Sequence, residues 1–222
     1  MTAPVVTVRG EASREVDPDL AGLSLTVHAS GDSADRVRAT LAEGSLRLAA
    51  VIAEHAGAVE RSSTSGIHLS PVFQRRHPTR VAGYRGSFTA SVSVHDFEAL
   101  SDLVFALASI PDSQLDGPWW SLRPDHPAYR AVRLDAIADA RHRAADYAAA
   151  VGAEIAGLVE ISDLDAAGDP GRRPMMRAAF AAEMAAEEPS FEFEPARQTV
   201  TGQVTVRFTI TEPTSVNAVS DR

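Results

Sequence analysis

Asp135, Asp139, His142 and Asp146 are the side chains best spaced for chemistry. At about 100° per residue they fall within about 60° of one another on one helix face. Carboxylates and an imidazole so placed suit a divalent metal. The same face also reads as solvated surface, with Arg130 and Arg143 available to pair with it. A metal centre usually draws ligands from a second element, and the sequence identifies none. The expectation is therefore no metal and no cofactor, with these four residues as the metal candidate.

The seven histidines are scattered, and none sits in a His-Glu-x-x-His pattern. His55 falls on an apolar helical stripe, where a core or helix-end histidine is expected. His28 alternates onto a polar strand face, and His95 precedes a helix start. There is no Gly-x-Ser-x-Gly elbow for serine hydrolysis and no glycine-rich phosphate loop. No catalytic residue is assigned, and the chain is read as a non-enzyme.

Two features suit contact rather than catalysis. Trp119 and Trp120 are adjacent, so in a strand they point to opposite faces. One fills the core. The other is buried within the fold or, if exposed, marks a contact surface, because tryptophan is enriched in binding hot spots. Met176, Phe180 and Met184 recur every fourth residue, with Met175 alongside, a narrow apolar stripe of adaptable side chains. This stripe reads either as a docking segment or as a disordered alanine-rich loop.

The elements that position these residues follow from periodicity. Residues 4–9 alternate as a strand that Gly10 breaks, and 20–28 alternate again through Leu23, Leu25 and Val27. A helix is expected over 33–55, capped by Asp32 and stopped at Gly57. Residues 58–74 and 84–94 form a hairpin across a polar turn at 75–80. Asp96 is expected to cap a second helix bearing Leu100, Leu103, Val104 and Leu107. A strand over 113–122 follows, then a third helix from Pro127 to Gly152, with Ile137, Ala140, Ala144, Tyr147, Ala148 and Val151 on its apolar face. Strands at 154–162 and 198–210 close the pattern. The fold class is α+β, a largely antiparallel sheet arrangement with three main helices packed on a face. Residues 1–164 form the main body and 165–190 an Ala-, Met- and Pro-rich arm, with a short helix over 174–188 as one reading. Residues 191–212 complete the same domain, and 213–222 is a frayed tail.

Composition removes whole classes of function. The 222 residues are 45% apolar, enough core for one domain or two joined halves. Net charge is −9, which argues against nucleic acid as a partner. All 21 basic residues are arginine, so lysine Schiff-base chemistry is excluded. With no cysteine there is no disulfide, thiol nucleophile or cysteine-bound metal. No stretch has the length and apolarity of a membrane span, and the start lacks the pattern of a secretory signal, so a cytoplasmic protein is expected.

Several segments in order resemble the SIMPL-domain family, a mostly bacterial group. The first is Val5-Val6-Thr7-Val8-Arg9-Gly10-Glu11-Ala12 with Asp17-Pro18-Asp19. Next come Gly83-Tyr84-Arg85 and Val94-His95-Asp96-Phe97 with Leu100. Asp139-Ala140-Arg141, Arg143-Ala144, Tyr147-Ala148 and Gly152 follow, and Thr199-Val200-Thr201-Gly202-Gln203-Val204-Thr205-Val206 closes the set. The resemblance implies a SIMPL-like fold and carries over no catalytic residue, because the family has no agreed reaction. It also implies a link to stress tolerance, frequent export to the cell envelope, and oligomers. Against the family pattern, no export signal is expected from the opening residues, and Ala196-Arg197 stands where a glycine-containing turn is expected.

Three functions are consistent with these residues. The preferred one is a self-associating, non-enzymatic scaffold or interaction protein, a homo-oligomer in contact through Trp119, Trp120, Met175, Met176, Phe180 and Met184. The second is a small-molecule binding module with an aromatic wall of Trp119 or Trp120 and Tyr84. The third is a metal-dependent enzyme using the helix face of Asp135, Asp139 and His142.

Overall fold

The computed structural model describes residues 3–75, 77–163 and 192–214. The order of elements is β1 (Val5–Val16), β2 (Leu20–Gly31), α1 (Ala34–Glu54), β3 (Val59–Gln74), β4 (His77–Val94), α2 (Leu100–Ala108), β5 (Ser113–Ser121), α3 (Pro127–Ala150), β6 (Ile155–Asp163) and β7 (Gln198–Ile210). The strands pair antiparallel throughout, in two sheets, so the chain is α+β as the periodicity implies. The described residues divide into two compact units. One comprises 17–123 and 192–197, the other 3–16, 124–163 and 198–214. The reading of 174–188 as a short helix, and Met175, Met176, Phe180 and Met184 with it, lie outside the described residues.

The first unit holds the sheet β3-β4-β2-β5. Alternation along β2 and β4 sends Ala21, Leu23, Leu25 and Val27, with Phe88, Ala90, Val92 and Val94, to one buried face. There they meet Val37, Leu41 and Leu48 of α1 and Leu100, Leu103 and Leu107 of α2 in a single core. Gly44 lets α1 press onto β2, since a Cβ at that position would lie 2.9 Å from Val27 Cγ1. Ser33, not Asp32, caps α1. Its extended backbone (φ −134°, ψ 152°) aims Oγ at the Arg36 N–H, 3.3 Å away, while Asp32 receives the Arg36 guanidinium instead. The helix ends at His55, whose Nδ1 lies 2.9 Å from the Val51 carbonyl, a helix-end role for that histidine. Asp96 does not cap α2. It accepts the Glu98 N–H at 3.0 Å in a local turn, and the helix begins at Leu100 with no side-chain cap. The hairpin is longer than the polar run 75–80 implied, because β4 already pairs from His77, opposite Gln74.

The second unit holds β1-β7-β6 with α3 across one face. Gly10 does not end the first strand. β1 runs through it to Val16, paired with β7 along its whole length. A glycine is needed there for another reason: a Cβ would sit 2.0 Å from the Ala136 carbonyl oxygen and 2.7 Å from Ala140 Cβ. Helix and strand backbones therefore touch at this point. The buried row of α3 is Ala128, Val132, Ala136, Ala140, Ala144 and Ala148, a strict four-residue repeat of small side chains. Tyr147, expected on the apolar face, is 61% exposed instead. A phenol ring would hold the helix off the sheet that alanines allow it to approach. On β7 the expected face of Val200, Gly202, Val204, Val206, Phe208 and Ile210 is the buried one.

Candidate functional site

The acidic face of α3 is divided by its surroundings. Asp135 accepts Arg14 Nε and Nη2, each at 2.7 Å. Asp139 accepts the backbone N–H of Glu11 at 2.9 Å and Arg143 Nε at 2.9 Å. The Glu11 N–H and then the Arg143 guanidinium hold the Asp139 carboxyl below its usual value, against the opposing pull of partial burial. His142 and Asp146 point into solvent. Among the described residues no three His, Asp or Glu side chains converge closely enough to hold a metal ion. Two of the four candidate ligands thus tie α3 to β1.

A second polar cluster was not visible in the sequence. Arg123 donates Nε to both carboxylate oxygens of Glu60, at 3.1 and 2.9 Å, and places Nη2 against the same group. Its backbone N–H donates to Asp19 Oδ1 at 2.7 Å, and its Nη1 lies 3.4 Å from Asp19 Oδ2. The Glu60 carboxyl is held low mainly by the hydrogen bond from Arg123. Arg197 pairs with Asp17 at 3.2 Å, in the stretch where a glycine turn was expected. Partners 63, 104 and 180 residues apart leave no local sequence signal. These are structural clamps, with each carboxylate matched to a guanidinium.

The tryptophans separate as adjacent strand residues must. Trp120 packs into the first unit's core, edge-on to Phe97 with ring centroids 5.0 Å apart. Trp119 is 55% exposed, beside Gly22 on the opposite face of the sheet. The aromatic wall with Tyr84 does not form. Tyr84 pairs with Gly31, whereas Trp119 and Trp120 pair with Gly22 and Ala21, at the other end of β2. Nine residues of strand separate Gly22 from Gly31, roughly 30 Å.

The largest departure lies in the β3–β4 hairpin. Ile67, Leu69 and Val72 stand at mostly alternate positions in the segment read as extended. Ile67 pairs with Phe88 and Leu69 with Gly86, so both share the face that α1 covers on β4. The helix side chains reach Val27, Phe88 and Gly86 but β3 lies at the sheet edge, and Ile67 stays 77% exposed. Further out, Phe73 is 51% exposed opposite Val81, which is exposed as well. The result is a set of exposed branched and aromatic side chains on the β3–β4 hairpin. The sequence carries one hint of it. No residue from Ser62 to Gln74 is Asp, Glu, Arg or Lys, in a chain that is 23% charged.

A family model described as SIMPL, a protein of unknown function (DUF541), matches residues 6–208. No curated protein matches the chain. Among solved structures, a hydantoinase/carbamoylase family amidase from Burkholderia ambifaria aligns with a TM-score of 0.31 and 16% identity, over 48% of this chain and 30% of its own. A second amidase of that family, from Burkholderia multivorans, aligns with a TM-score of 0.31 and 14% identity, over 51% and 29%. The chain therefore spans less than a third of either structure, and at these scores the likeness carries no argument.

Proposed function

The chain belongs to the SIMPL family, whose model covers it from residue 6 to residue 208, and from that premise we propose that it is a self-associating interaction protein rather than an enzyme. The observation that carries this reading is the exposed apolar set on the hairpin, Ile67, Leu69, Phe73 and Val81. Exposed apolar side chains gathered on one hairpin mark a contact site, because leaving them hydrated forgoes about 25 cal/mol for every Å² that a partner would cover. Trp119 adds a second exposed anchor. Two of the three carboxylates that suggested metal chemistry, Asp135 and Asp139, are held in ion pairs, which favours interaction over catalysis.

Sedimentation velocity across a wide concentration range tests the proposal. The parent protein is expected to show a concentration-dependent shift from monomer to a discrete oligomer. The double variant Ile67→Ser/Phe73→Ser is expected to stay monomeric with unchanged far-UV circular dichroism. A parent that is monomeric at every concentration refutes self-association.

A further inference from the structure

We propose that the free edge of β3 pairs, antiparallel and about a two-fold axis, with the β3 edge of a second copy. The inference deepens the self-association reading and rests on it.

β3 is the terminal strand of the order β3-β4-β2-β5, so among the described residues one side of its backbone has no strand partner. Such an edge presents a row of N–H and C=O groups that can template another strand. Proteins guard exposed edges with charges, above all lysine. Here the charge guard is missing, and only Pro71 and the irregular ends of the ladder blunt the edge: Ser62 to Gln74 holds no formally charged side chain, and the chain has no lysine at all. Pro71 withdraws one N–H, and the ladder to β4 shifts between Thr64 and Gly66 and again after Val72, so the regular stretch is Gly66–Val72. That stretch carries Ile67 and Leu69 on one face.

The occupant follows from symmetry and charge. With the axis at His68, Ile67 of each copy stands beside Leu69 of the other. This sets four branched side chains in cross-strand contact, the pairing that stabilises antiparallel ribbons. A two-fold contact needs one self-complementary surface, and an antiparallel edge is self-complementary by construction. The chain carries a net charge of −9, so two copies repel wherever charged surfaces meet. A neutral strip lets them approach without that cost. A partner chosen by opposite charge would find nothing on this strip to read. Over the regular stretch Gly66–Val72 the edge runs roughly 20 Å, so a contact one strand wide covers far less than the standard interface of about 800 Å² per partner. The dimer is therefore expected at the weak, reversible end, dissociating on dilution.

The absence of cysteine makes the test direct. Single cysteines are placed at Ser63, Ser65, Ile67, His68, Leu69 and Ser70 in the full chain, with Leu46→Cys on the exposed side of α1 as the collision control. Disulfide-linked dimer is then measured after mild oxidation. The expected result is a single maximum at or next to His68, several-fold above the control and falling off on both sides. In parallel, Ile67→Lys restores the missing guard at an exposed position and is expected to weaken the dimer more than tenfold without altering circular dichroism. Cross-linking no greater than that of Leu46→Cys, with the parent still oligomeric, overturns the edge pairing and leaves self-association standing on another surface. A parent that is monomeric and uncross-linked overturns both.

Discussion

Replacing Gly10 with alanine should loosen the second unit out of proportion to one methyl group. The added Cβ would lie 2.0 Å from the Ala136 carbonyl oxygen and 2.7 Å from both the backbone nitrogen and the Cβ of Ala140. The shortest separations that Cβ atoms adopt are near 3.0 Å, so helix and strand must part by roughly 1 Å. Neither side can yield by changing rotamer, because the opposing atoms are helix backbone and an alanine Cβ. Overpacking of this kind costs about 1–3 kcal/mol. A gap of 0.5–1 Å also forfeits about a quarter to a half of each van der Waals contact along the separated row. That row includes Ala136, Ala140 and Ala144. Lower entropy of the unfolded chain returns about 0.4–1 kcal/mol. The net loss is about 2 kcal/mol or more, a fall in Tm of roughly 4–8 °C for a chain of this size. Urea and thermal unfolding followed by far-UV circular dichroism measure it, and hydrogen exchange on peptides from 127–150 locates it. Gly57→Ala is the control, since a Cβ there meets nothing within 4 Å. If Gly10→Ala unfolds within 0.5 kcal/mol of Gly57→Ala, the close approach of α3 to β1 is wrong.

Leu103→Ala removes a fully buried side chain of α2 and should cost about 3–5 kcal/mol in equilibrium unfolding. Asp139 is held low in the folded state, so its contribution is present above its unfolded value, near 3.8, and is lost as pH falls through the lower folded value. Asp139→Asn should accordingly flatten the acid limb of a stability–pH profile measured below pH 4. An unchanged limb would mean that the Glu11 and Arg143 contacts do not persist in solution. Trp120→Ala should destabilise the first unit more than Trp119→Ala, by about 1 kcal/mol or more, since only Trp120 joins the core and stacks edge-on with Phe97. Thermal melts of the two variants decide it, and equal costs would contradict the assignment of faces.

Much of the architecture is legible in the amino-acid order because it depends on short-range physics. Alternation along 20–28 and 198–210 marks strands with one buried face, whatever lies opposite. Helices end near the expected residues, since capping is settled within a turn, and the cap errors are small shifts: Ser33 for Asp32, and Leu100 as the start of α2 rather than a residue next to Asp96. The chain's lack of lysine and cysteine bounds its chemistry without any coordinates.

What only the tertiary structure decided is which neighbour each face acquires. The carboxylates of α3 share a helical face, but Arg14 and the Glu11 N–H, more than 120 residues away, convert two of them from possible ligands into a strap. Gly10 looked like a strand break because local rules read glycine as backbone freedom. The structure uses it for clearance under a helix that no local rule could place. Ile67 and Leu69 alternate along an extended segment, yet they stand exposed because β3 took the edge position while the α1 side chains pack with the inner strands β2 and β4. Periodicity reports that a face is apolar. Strand order decides whether anything in the same chain is left to cover it.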